Sequence, residues 1–329
     1  MNAGRAALVY NPVKVKSGPE LIAAVTNRSA RAGWEDPLIL ETTVEDPGQG
    51  ITRSALEQGA TVVLVAGGDG TVRAVSEAMR GSGVPLAIVP SGTGNLLARN
   101  LNLPLTGNAA MIDAAFEGSV LPIDIGIAEL TRESGEQESH AFVVMAGMGV
   151  DAAMIANTNP RMKKHLGWVA YVDGAARSLP SAKPFRLAYQ MDGLSLHMAK
   201  VNSVLFANCG ALPAGIDLIP DGLVDDGLLD VALIQARGPF GWLAVWRQLW
   251  WHNSVLAKSR MGRKVVARAN NQSIRYLVGT DAEAASPLPQ PVELDGDEFG
   301  EAARIRCRVD QGGLLIAAPT GHKLTAARS

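Results

Sequence analysis

The chain has few cysteines and few aromatic residues, and it has no long apolar run. Its two cysteines, Cys209 and Cys307, lie far apart and show none of the spacings that bind zinc or form a redox pair. This scarcity fits a reducing compartment. No stretch approaches the ~20 apolar residues of a membrane-spanning helix, and the apolar run at 6–10 is too short for a secretory signal. We therefore expect a cytoplasmic protein that meets a membrane, if at all, peripherally at its inner face.

A strong net charge is also lacking. The 30 Lys and Arg residues nearly balance the 32 Asp and Glu residues, which gives a net charge of −2. Such a balance provides no general attraction to nucleic acid, so no nucleic-acid partner is expected. The apolar fraction of 47% is typical of a globular protein, and 329 residues are enough for two domains.

The first 130 residues alternate apolar runs of strand length with helix-like segments. Strands are predicted at residues 6–10, 37–40, 61–66, 86–89 and 123–127. Helices are predicted between them at residues 20–32, 48–58, 72–79, 95–100 and 108–116. This alternation, with nearly continuous apolar strands, is typical of a parallel sheet covered on both faces. Ligands bind such sheets at the loops that follow the carboxyl ends of the strands.

The pattern changes near residue 131. Beyond it, strands are predicted at 185–190, 195–207, 228–234, 265–269 and 304–309, and helices near 168–179 and 240–256. Residues 131–139 are predicted to be a surface loop or a hairpin tip, and residues 284–291 a loop. Asp192-Gly193 stands between two of these strands and is typical of a hairpin turn. The second part of the chain is therefore predicted to be a mainly antiparallel β domain.

A glycine-rich turn follows the third predicted strand. The apolar run at 62–66 leads into Gly67-Gly68-Asp69-Gly70-Thr71, and a helical segment comes next. Glycines let backbone N–H groups approach phosphate oxygens without a Cβ in the way. The helix N-terminus adds a favourable partial charge, and Asp69 or Thr71 can cap it. The alternative is a tight turn in which Asp69 is only a helix cap.

A second glycine-rich turn has the same setting. Pro90-Ser91-Gly92-Thr93-Gly94-Asn95 also follows an apolar strand and precedes a helix. Two such turns in one sheet would place their backbone donors side by side, which suits a triphosphate better than either turn alone. Neither turn is a Walker A loop, because no Gly-Lys-Ser/Thr follows.

With these and further motifs, the chain resembles the diacylglycerol kinase catalytic family, which includes bacterial lipid kinases and sphingosine kinases. The resemblance runs nearly end to end, and it is specific because many motifs occur in order. They are Asn11-Pro12, Glu41-Thr42, Gly67-Gly68-Asp69-Gly70-Thr71, Gly92-Thr93-Gly94-Asn95, Asp124-Ile125-Gly126, the segments 147–152 and 225–230, and Asp295-Gly296-Asp297.

The resemblance implies a two-domain fold. An α/β nucleotide-binding domain at 1–130 would have a parallel sheet similar to those of phosphofructokinases and NAD kinases. A mainly antiparallel β-sandwich at 131–312 would bind the lipid substrate, and residues 313–329 would return to the first domain.

The resemblance also implies cofactors and site residues. ATP would be bound by Asn11, Pro12, Thr42, Gly67, Gly68, Asp69, Gly70, Thr71, Val72, Arg73 and Thr93, beside Gly92, Gly94 and Asn95 of the second turn. Mg²⁺ would be bound by the Asp226 carboxylate and by the backbone carbonyls of Leu223 and Leu228, which are oxygen ligands suited to a hard cation. Without the resemblance, 225–230 could be an acidic turn before a strand.

Four aspartates are expected to serve phosphoryl transfer, which needs alignment and charge neutralisation. Asp69 and Asp124 would order the catalytic metal and its waters. Asp297 would accept the proton of the acceptor hydroxyl, with Asp295 as its partner. Taken alone, the Asp295-Gly296 pair favours a β-turn.

The chain departs from the family pattern at three places. Lys14 and Lys16 stand where many members have a Ser-Gly pair, and both are interpreted as solvated lysines that could reach phosphate. Leu96 replaces an aspartate that follows the second turn in many members. The usual Asp-Gly-Glu is Asp295-Gly296-Asp297 here, so the proposed base is one methylene shorter.

An aromatic and basic segment could contact an anionic membrane. Trp242, Trp246 and Trp250 recur every four residues, and a basic stretch, 258–268, follows. This suits an interfacial helix, although a core helix beside a solvated basic face is an equally good interpretation. A homodimer is left open, because the sequence does not fix the oligomeric state.

Three functions are considered. The first is an ATP- and Mg²⁺-dependent lipid kinase, with diacylglycerol as acceptor and phosphatidic acid as product. The second is a soluble-metabolite kinase such as an NAD kinase, although the Asn-Glu pair of those enzymes does not occur here. The third is a non-catalytic nucleotide-binding regulator, which Leu96 and Asp297 make conceivable.

Overall fold

The computed structural model describes residues 4–149, 184–212, 216–217, 219, 222–235 and 273–324. The chain divides into two compact units. The first comprises Met1–Ile125, Val224–Gly227 and Asp310–Ser329, and the second comprises Gly126–Leu223 and Leu228–Val309. The short return of residues 224–227 to the first unit is absent from the domain limits expected from the sequence.

The first unit contains a parallel sheet with helices. Its strands are β1 (Arg5–Tyr10), β2 (Glu35–Glu41), β3 (Val62–Gly67) and β4 (Leu86–Pro90). Its helices are α1 (Gly18–Arg31), α2 (Gln49–Glu57), α3 (Asp69–Met79), α4 (Leu96–Asn100) and α5 (Asn108–Glu117). The strand order is β2-β1-β3-β4, and every pairing is parallel. The central strands are buried along their length, because runs such as Val62–Ala66 are apolar on both faces.

The second unit consists mainly of antiparallel strands. They include β5 (Ser119–Thr131) and β16 (Asp297–Ala318), which begin or end in the first unit. The others are β6 (Gln137–Phe142), β7 (Met145–Met148), β8 (Phe185–Met191), β9 (His197–Val201), β10 (Ser203–Ala207), β11 (Ala211–Leu212), β12 (Ile216–Asp217), β13 (Leu229–Ile234), β14 (Ile274–Gly279) and β15 (Asp281–Leu294). One path of the sheet runs β14-β13-β10-β7-β15-β16, with β8 paired to β15 and β9 paired to β8.

The second unit has a large core cluster and a smaller one that contains Ala232 and Ile234; the large cluster joins many strands. Phe142, Leu187, Phe206, Leu229 and Ile305 are among its buried residues. Each comes from a different strand, so the antiparallel pairings bring distant parts of the sequence into one apolar cluster. The end of β16 belongs to the first unit, where Ile316 pairs in parallel with Leu86 of β4.

The Pro-rich segment 284–291 is not the loop that its composition predicted. It lies within β15, which pairs with β8, β7 and β16. The pairing of β15 with β16 is interrupted between Ala285 and Gln290, and Pro287 and Pro289 fall in this interruption. Proline is compatible with a strand at such an irregularity because no ladder hydrogen bond is required there.

Other predicted elements differ in detail. The single strand expected at 195–207 is two strands, β9 and β10, separated at Asn202. The segment 131–139, by contrast, forms the turn and arms of a hairpin between β5 and β6, which confirms the hairpin tip predicted there. The segments predicted at 168–179, 240–256 and 265–269, including the Trp-rich stretch, lie outside the described residues. Within the described ranges, no helix is long and apolar enough to cross a bilayer.

Candidate active site

The first glycine-rich turn joins β3 to α3. Gly68 is the residue before the helix and has extended backbone angles, with φ −87°, and no side chain caps the helix there. The prediction that Asp69 or Thr71 caps this helix was therefore wrong. Thr71 instead packs over Gly67, where an added Cβ would lie 2.7 Å from the Thr71 Cβ. Gly67 is thus required by the packing of the turn itself.

The second glycine-rich turn lies directly against the first, which confirms that the two are neighbours. A Cβ on Gly92 would lie 2.9 Å from the Gly68 Cα, and one on Gly94 would overlap the Asp69 carboxylate. The Leu96 N–H donates to Asp69 Oδ1 at 2.6 Å. Asp69 therefore connects the two turns, and the backbone of Leu96 serves this contact whatever its side chain.

The second turn is closed by Asn95. This residue has a left-handed backbone, with φ 49°, and precedes α4. Its carboxamide accepts the Gly92 N–H and donates to the Gly92 carbonyl, both at 3.0 Å. The Thr93 side chain remains exposed at the tip of the turn. The Asn95 side chain therefore shapes the turn, and Thr93 is available to a ligand.

A lysine from a third loop lies beside these turns. The Asn11 side-chain oxygen accepts the N–H groups of Val13 and Lys14, at 2.9 and 3.2 Å, which fixes a tight turn after β1. The Lys14 Cε then lies 3.9 Å from the position of a Cβ on Gly68. In the part of the chain that the structure describes, the Lys14 ammonium makes no hydrogen bond or ion pair. Lys14 is exposed, as the interpretation of a solvated lysine predicted, and its contact with phosphate stays a prediction.

Asn11 and Thr42 lie at the carboxyl ends of adjacent strands, β1 and β2. The Thr42 N–H donates to the Tyr10 carbonyl at 2.9 Å, and Thr42 is buried. The Tyr10 hydroxyl donates to the Glu41 carboxylate, and this hydrogen bond is the main reason that the Tyr10 pKa rises to about 12. This hydrogen bond joins the ends of β1 and β2, a role for Tyr10 that no sequence motif indicated.

Exposure separates the residues of the first turn into two groups. Gly68, Asp69 and Gly70 are partly exposed. Thr71, Val72 and Arg73 are buried in α3, and Arg73 pairs with Glu77 at 3.1 Å. A ligand at this turn would therefore meet residues 68–70, while the side chains of residues 71–73 support the turn from inside.

Asp124 is buried within the first unit, with 1% of its surface exposed. Its two carboxylate oxygens accept the N–H groups of Gly227 and Gly312, at 2.6 and 2.8 Å, and its own N–H donates to the Val224 carbonyl. The side chain therefore holds the 224–227 segment and the end of β16 in place. Its role in ordering metal-bound water stays a prediction.

The predicted metal ligands come from one short segment. Residues 222–228 form no helix or strand, so the Leu223 and Leu228 carbonyls lie outside the strand ladders. The Asp226 carboxylate is partly exposed. One carboxylate and two carbonyls are hard oxygen donors, which fit Mg²⁺ in chemistry. Within the described ranges, no cluster of three or more His, Cys, Asp or Glu residues has a metal-binding arrangement.

Asp295 and Asp297 belong to the second unit, at the turn between β15 and β16. Asp295 and Gly296 both have positive φ angles, 51° and 87°, and Leu294 pairs with Asp297 across the turn. The buried Asp295 carboxylate accepts the N–H groups of Val143, Val144 and Met145 at 2.8, 2.8 and 2.9 Å. The dipeptide is therefore a two-residue hairpin turn, and the Asp295 side chain fastens it to the start of β7.

Two family models match the chain. The diacylglycerol kinase catalytic domain matches residues 5–128, and the YegS C-terminal NAD kinase beta sandwich-like domain matches residues 143–301. A probable lipid kinase YegS-like from Pseudomonas aeruginosa is 31% identical over 318 residues, with 94% of this chain and 93% of the relative covered. The chain belongs to the diacylglycerol kinase catalytic family.

One further relative and two solved structures are also similar to this chain. A diacylglycerol kinase from Bacillus subtilis is 27% identical, and the match covers 70% of this chain and 74% of that protein. The crystal structure of a diacylglycerol kinase from Bacillus anthracis has a TM-score of 0.64 at 18% identity and covers 97% of this chain and 98% of that one. An NAD kinase from Archaeoglobus fulgidus in complex with ATP has a TM-score of 0.52 at 13% identity, with coverages of 96% and 94%.

These likenesses confirm the family and the fold class that the sequence indicated. The α/β first unit and the antiparallel second unit are the architecture shared by diacylglycerol kinases and NAD kinases. As a member of the family, the protein is a lipid kinase by class. Tyr10 is the site residue that sequence reasoning missed; its position directly before Asn11-Pro12 was the available signal.

Proposed function

We propose that this protein transfers the γ-phosphoryl group of ATP to a lipid hydroxyl, with diacylglycerol as acceptor and phosphatidic acid as product. Membership of the family supports the reaction class. The names of the Bacillus subtilis relative and of the Bacillus anthracis structure favour diacylglycerol as the acceptor. The two glycine turns at the carboxyl ends of β3 and β4 support phosphate binding, because ligands bind open α/β sheets at that edge.

The observation that carries the proposal is the open space over Gly68. Its extended backbone is accessible to any residue, and a Cβ there would meet only the Lys14 Cε, at 3.9 Å. The fold therefore has no need for glycine at this position, in contrast to Gly67. A glycine that packing does not require, at the N-terminus of a helix and beneath a lysine, is what a phosphate site would need.

Lys14 is proposed to contact the ATP phosphates. Its aliphatic chain lies over Gly68, and its ammonium makes no ion pair with described residues. Lysine binds phosphate as a compact point charge, and charge-assisted hydrogen bonds are the strong ones. A phosphate bound here would have the Lys14 ammonium on one side and the first backbone N–H groups of α3 on the other. Both carry positive or partial positive charge.

The remaining roles are assigned from the contacts of each aspartate. Asp297, partly exposed at the start of β16, is proposed as the base that accepts the hydroxyl proton. Asp295 is proposed to position it through the hairpin turn, because its carboxylate is engaged by three backbone donors. Asp69 would hold the two turns in register around the phosphates.

Asp226 and the Leu223 and Leu228 carbonyls are proposed to hold Mg²⁺. Bound there, the ion would supply positive charge that stabilises the segment and its acidic neighbours. Asp124 would keep this segment in place by accepting the Gly227 N–H.

A transfer assay tests the proposed function. The purified protein is incubated with γ-labelled ATP and Mg²⁺, and with diacylglycerol, monoacylglycerol, a sphingoid base or NAD as acceptor. We expect label on diacylglycerol in preference to the other lipids, and no transfer without Mg²⁺. Label on NAD would instead favour the soluble-metabolite kinase. ATP binding without transfer to any acceptor would favour the regulator, and either result would contradict the proposal.

A further inference from the structure

The hairpin of β8 and β9 exposes apolar side chains that the fold does not use. Leu194, Leu196 and Met198 are 70%, 66% and 68% exposed. They alternate along the chain from the Asp192-Gly193 turn into β9. The opposite face of the same hairpin is already buried in the core of the second unit, through Leu187 and Val201. Leu194 and Leu196 lie in the loop that joins the two strands, and Met198 lies on the outward face of β9. Because such positions are normally polar, three large exposed apolar residues close together in the chain indicate an interaction surface.

Two cations lie on the same hairpin. Arg186 and Lys200 are exposed and stand directly opposite each other in the antiparallel ladder. Like charges in this arrangement repel each other. Across the residues that the structure describes, neither side chain forms an ion pair. Arg304 and Arg306, on β16 of the same unit, are by contrast paired with Glu283 and Asp281.

The hairpin is also held firmly at its turn. The Asp192 carboxylate accepts the N–H groups of Thr280 and Asp281, at 2.7 and 3.0 Å, and the Thr280 hydroxyl at 2.9 Å. These contacts, with the Thr280 N–H foremost, lower the Asp192 pKa. The one acid of the turn is therefore turned inward to β14 and β15 instead of offsetting the two cations. The turn next to the apolar residues is therefore fixed in position.

We propose that this hairpin docks the protein on an anionic membrane surface. Its apolar tip is formed by Leu194, Leu196 and Met198, and the two cations behind the tip are Arg186 and Lys200. Apolar side chains enter the interface between headgroups and acyl chains, while adjacent cations attract anionic lipid. The inference rests on the proposed function only in that a lipid acceptor lies in a bilayer. The proposed membrane contact lies on the hairpin of β8 and β9. It is a different segment from the Trp-rich stretch for which the sequence suggested membrane contact.

The test is co-sedimentation of the full chain with vesicles of phosphatidylcholine, with or without phosphatidylglycerol. We expect binding that requires phosphatidylglycerol. The triple variant Leu194→Ser/Leu196→Ser/Met198→Ser should lower the partition coefficient by about 100-fold. The double variant Arg186→Gln/Lys200→Gln should lower it by about tenfold or more and weaken its salt dependence.

Matched controls separate this surface from general effects. Val44→Ser removes one apolar side chain that is 94% exposed in the first unit. Arg304→Gln/Arg306→Gln removes two cations that are already paired. Both controls should bind vesicles as the unmodified protein does. The thermal unfolding midpoint of each hairpin variant should also be unchanged, because the altered side chains are exposed.

A water-soluble, short-chain diacylglycerol used as monomer separates this proposal from the proposed function. Both hairpin variants should phosphorylate it normally while losing vesicle binding. If neither the unmodified protein nor any variant phosphorylated this lipid, the proposed kinase activity would be contradicted. The vesicle measurements would then still test the hairpin. Unchanged vesicle binding by both hairpin variants, equal binding to neutral vesicles, no vesicle binding at all, or a dimer that only the triple variant dissociates would overturn the membrane surface.

Discussion

Gly67 and Gly68 are consecutive glycines with different physical requirements. At Gly67 a Cβ would collide with Thr71, so the turn cannot form around a larger residue. At Gly68 a Cβ would meet nothing closer than 3.9 Å, and the backbone angles are ordinary. Neither packing nor backbone conformation requires glycine at the second position, and the proposed phosphate site would give a reason for it.

This difference predicts opposite outcomes for two alanine substitutions. Gly68→Ala should leave the free energy of unfolding within about 0.5 kcal/mol of the original, but raise the KM for ATP by about tenfold or more, because the new methyl group occupies phosphate space. Gly67→Ala should destabilise the protein by about 1–3 kcal/mol through overpacking. Urea unfolding and initial rates measure both. Normal ATP kinetics in Gly68→Ala would refute the assignment of this space to phosphate.

The chain offers a matched pair of lysines for the next prediction. Lys14→Met should raise the KM for ATP by about 10–100-fold, the loss expected for one charge-assisted hydrogen bond. Lys16→Met, an equal charge change two residues away on an exposed side chain, should have little effect. Isothermal titration with a non-hydrolysable ATP analogue would measure the affinities directly. Equal losses in the two variants would mean that general charge, and not contact, attracts the nucleotide.

At the scale of elements, the two aspartates of the β15–β16 turn are expected to have different roles. Asp295→Ala removes the acceptor of three backbone N–H groups and should lower the free energy of unfolding by about 3 kcal/mol. Asp297→Asn should fold normally and lower kcat by about 10²–10⁴-fold, with little change in the KM for ATP. Denaturant curves and steady-state kinetics distinguish the pair. A stable but inactive Asp295→Ala protein would restore the catalytic role that sequence alone gave this residue.

The β5–β6 hairpin carries an ion pair whose strength depends on pH. Hydrogen bonding to Arg132, with His140 second, lowers the Glu138 pKa from 4.5 to about 2. Because the folded pKa is the lower one, this contribution to stability is complete above pH 4.5 and is lost as the pH falls toward 2.

The titration of Glu138 can be isolated by comparison with one variant. Glu138→Gln should be less stable than the original by about 1 kcal/mol at neutral pH, allowing for solvent screening at this partly exposed site. The difference should shrink as the pH falls below 4.5. Urea titrations of both proteins at several pH values provide the measurement. A difference that is constant with pH would show that Glu138 contributes through packing alone.

The elements of the first unit were predictable because their signals are local. Apolar runs such as the one at 62–66 have strand length, and glycine turns mark their ends. By contrast, residues 284–291 of β15 were predicted as a loop because they are rich in proline. Two of the strands that pair with β15, β7 and β8, are remote in sequence, so no local signal indicated the pairing. The position of Lys14 over Gly68 was also beyond a sequence argument, since 54 residues of chain separate them.

At the scale of the whole molecule, the buried Asp124 carboxylate joins segments of the first unit that are far apart in the sequence. Asp124 accepts N–H groups that lie 103 and 188 residues away along the chain. Asp124→Ala should therefore destabilise the protein by about 2 kcal/mol, because the buried N–H of Gly227 loses a charged acceptor and the exposed N–H of Gly312 loses its link to this side chain. Limited proteolysis should cut the variant faster near residues 224–227 and 310–313. Asp36→Ala, at an exposed carboxylate on β2, is the control and should behave as the original protein. Equal proteolysis of both variants would argue against this role of Asp124.

The parallel pairing of Ile316 with Leu86 has a consequence for how the protein is made. A ribosome synthesises β4 early, yet the strand that covers its free edge follows about 230 residues later. Until then the first unit has an unpaired strand edge, which can pair with strands of other chains and favour aggregation. A premature stop shortly before residue 310 would thus leave this edge of β4 permanently unpaired.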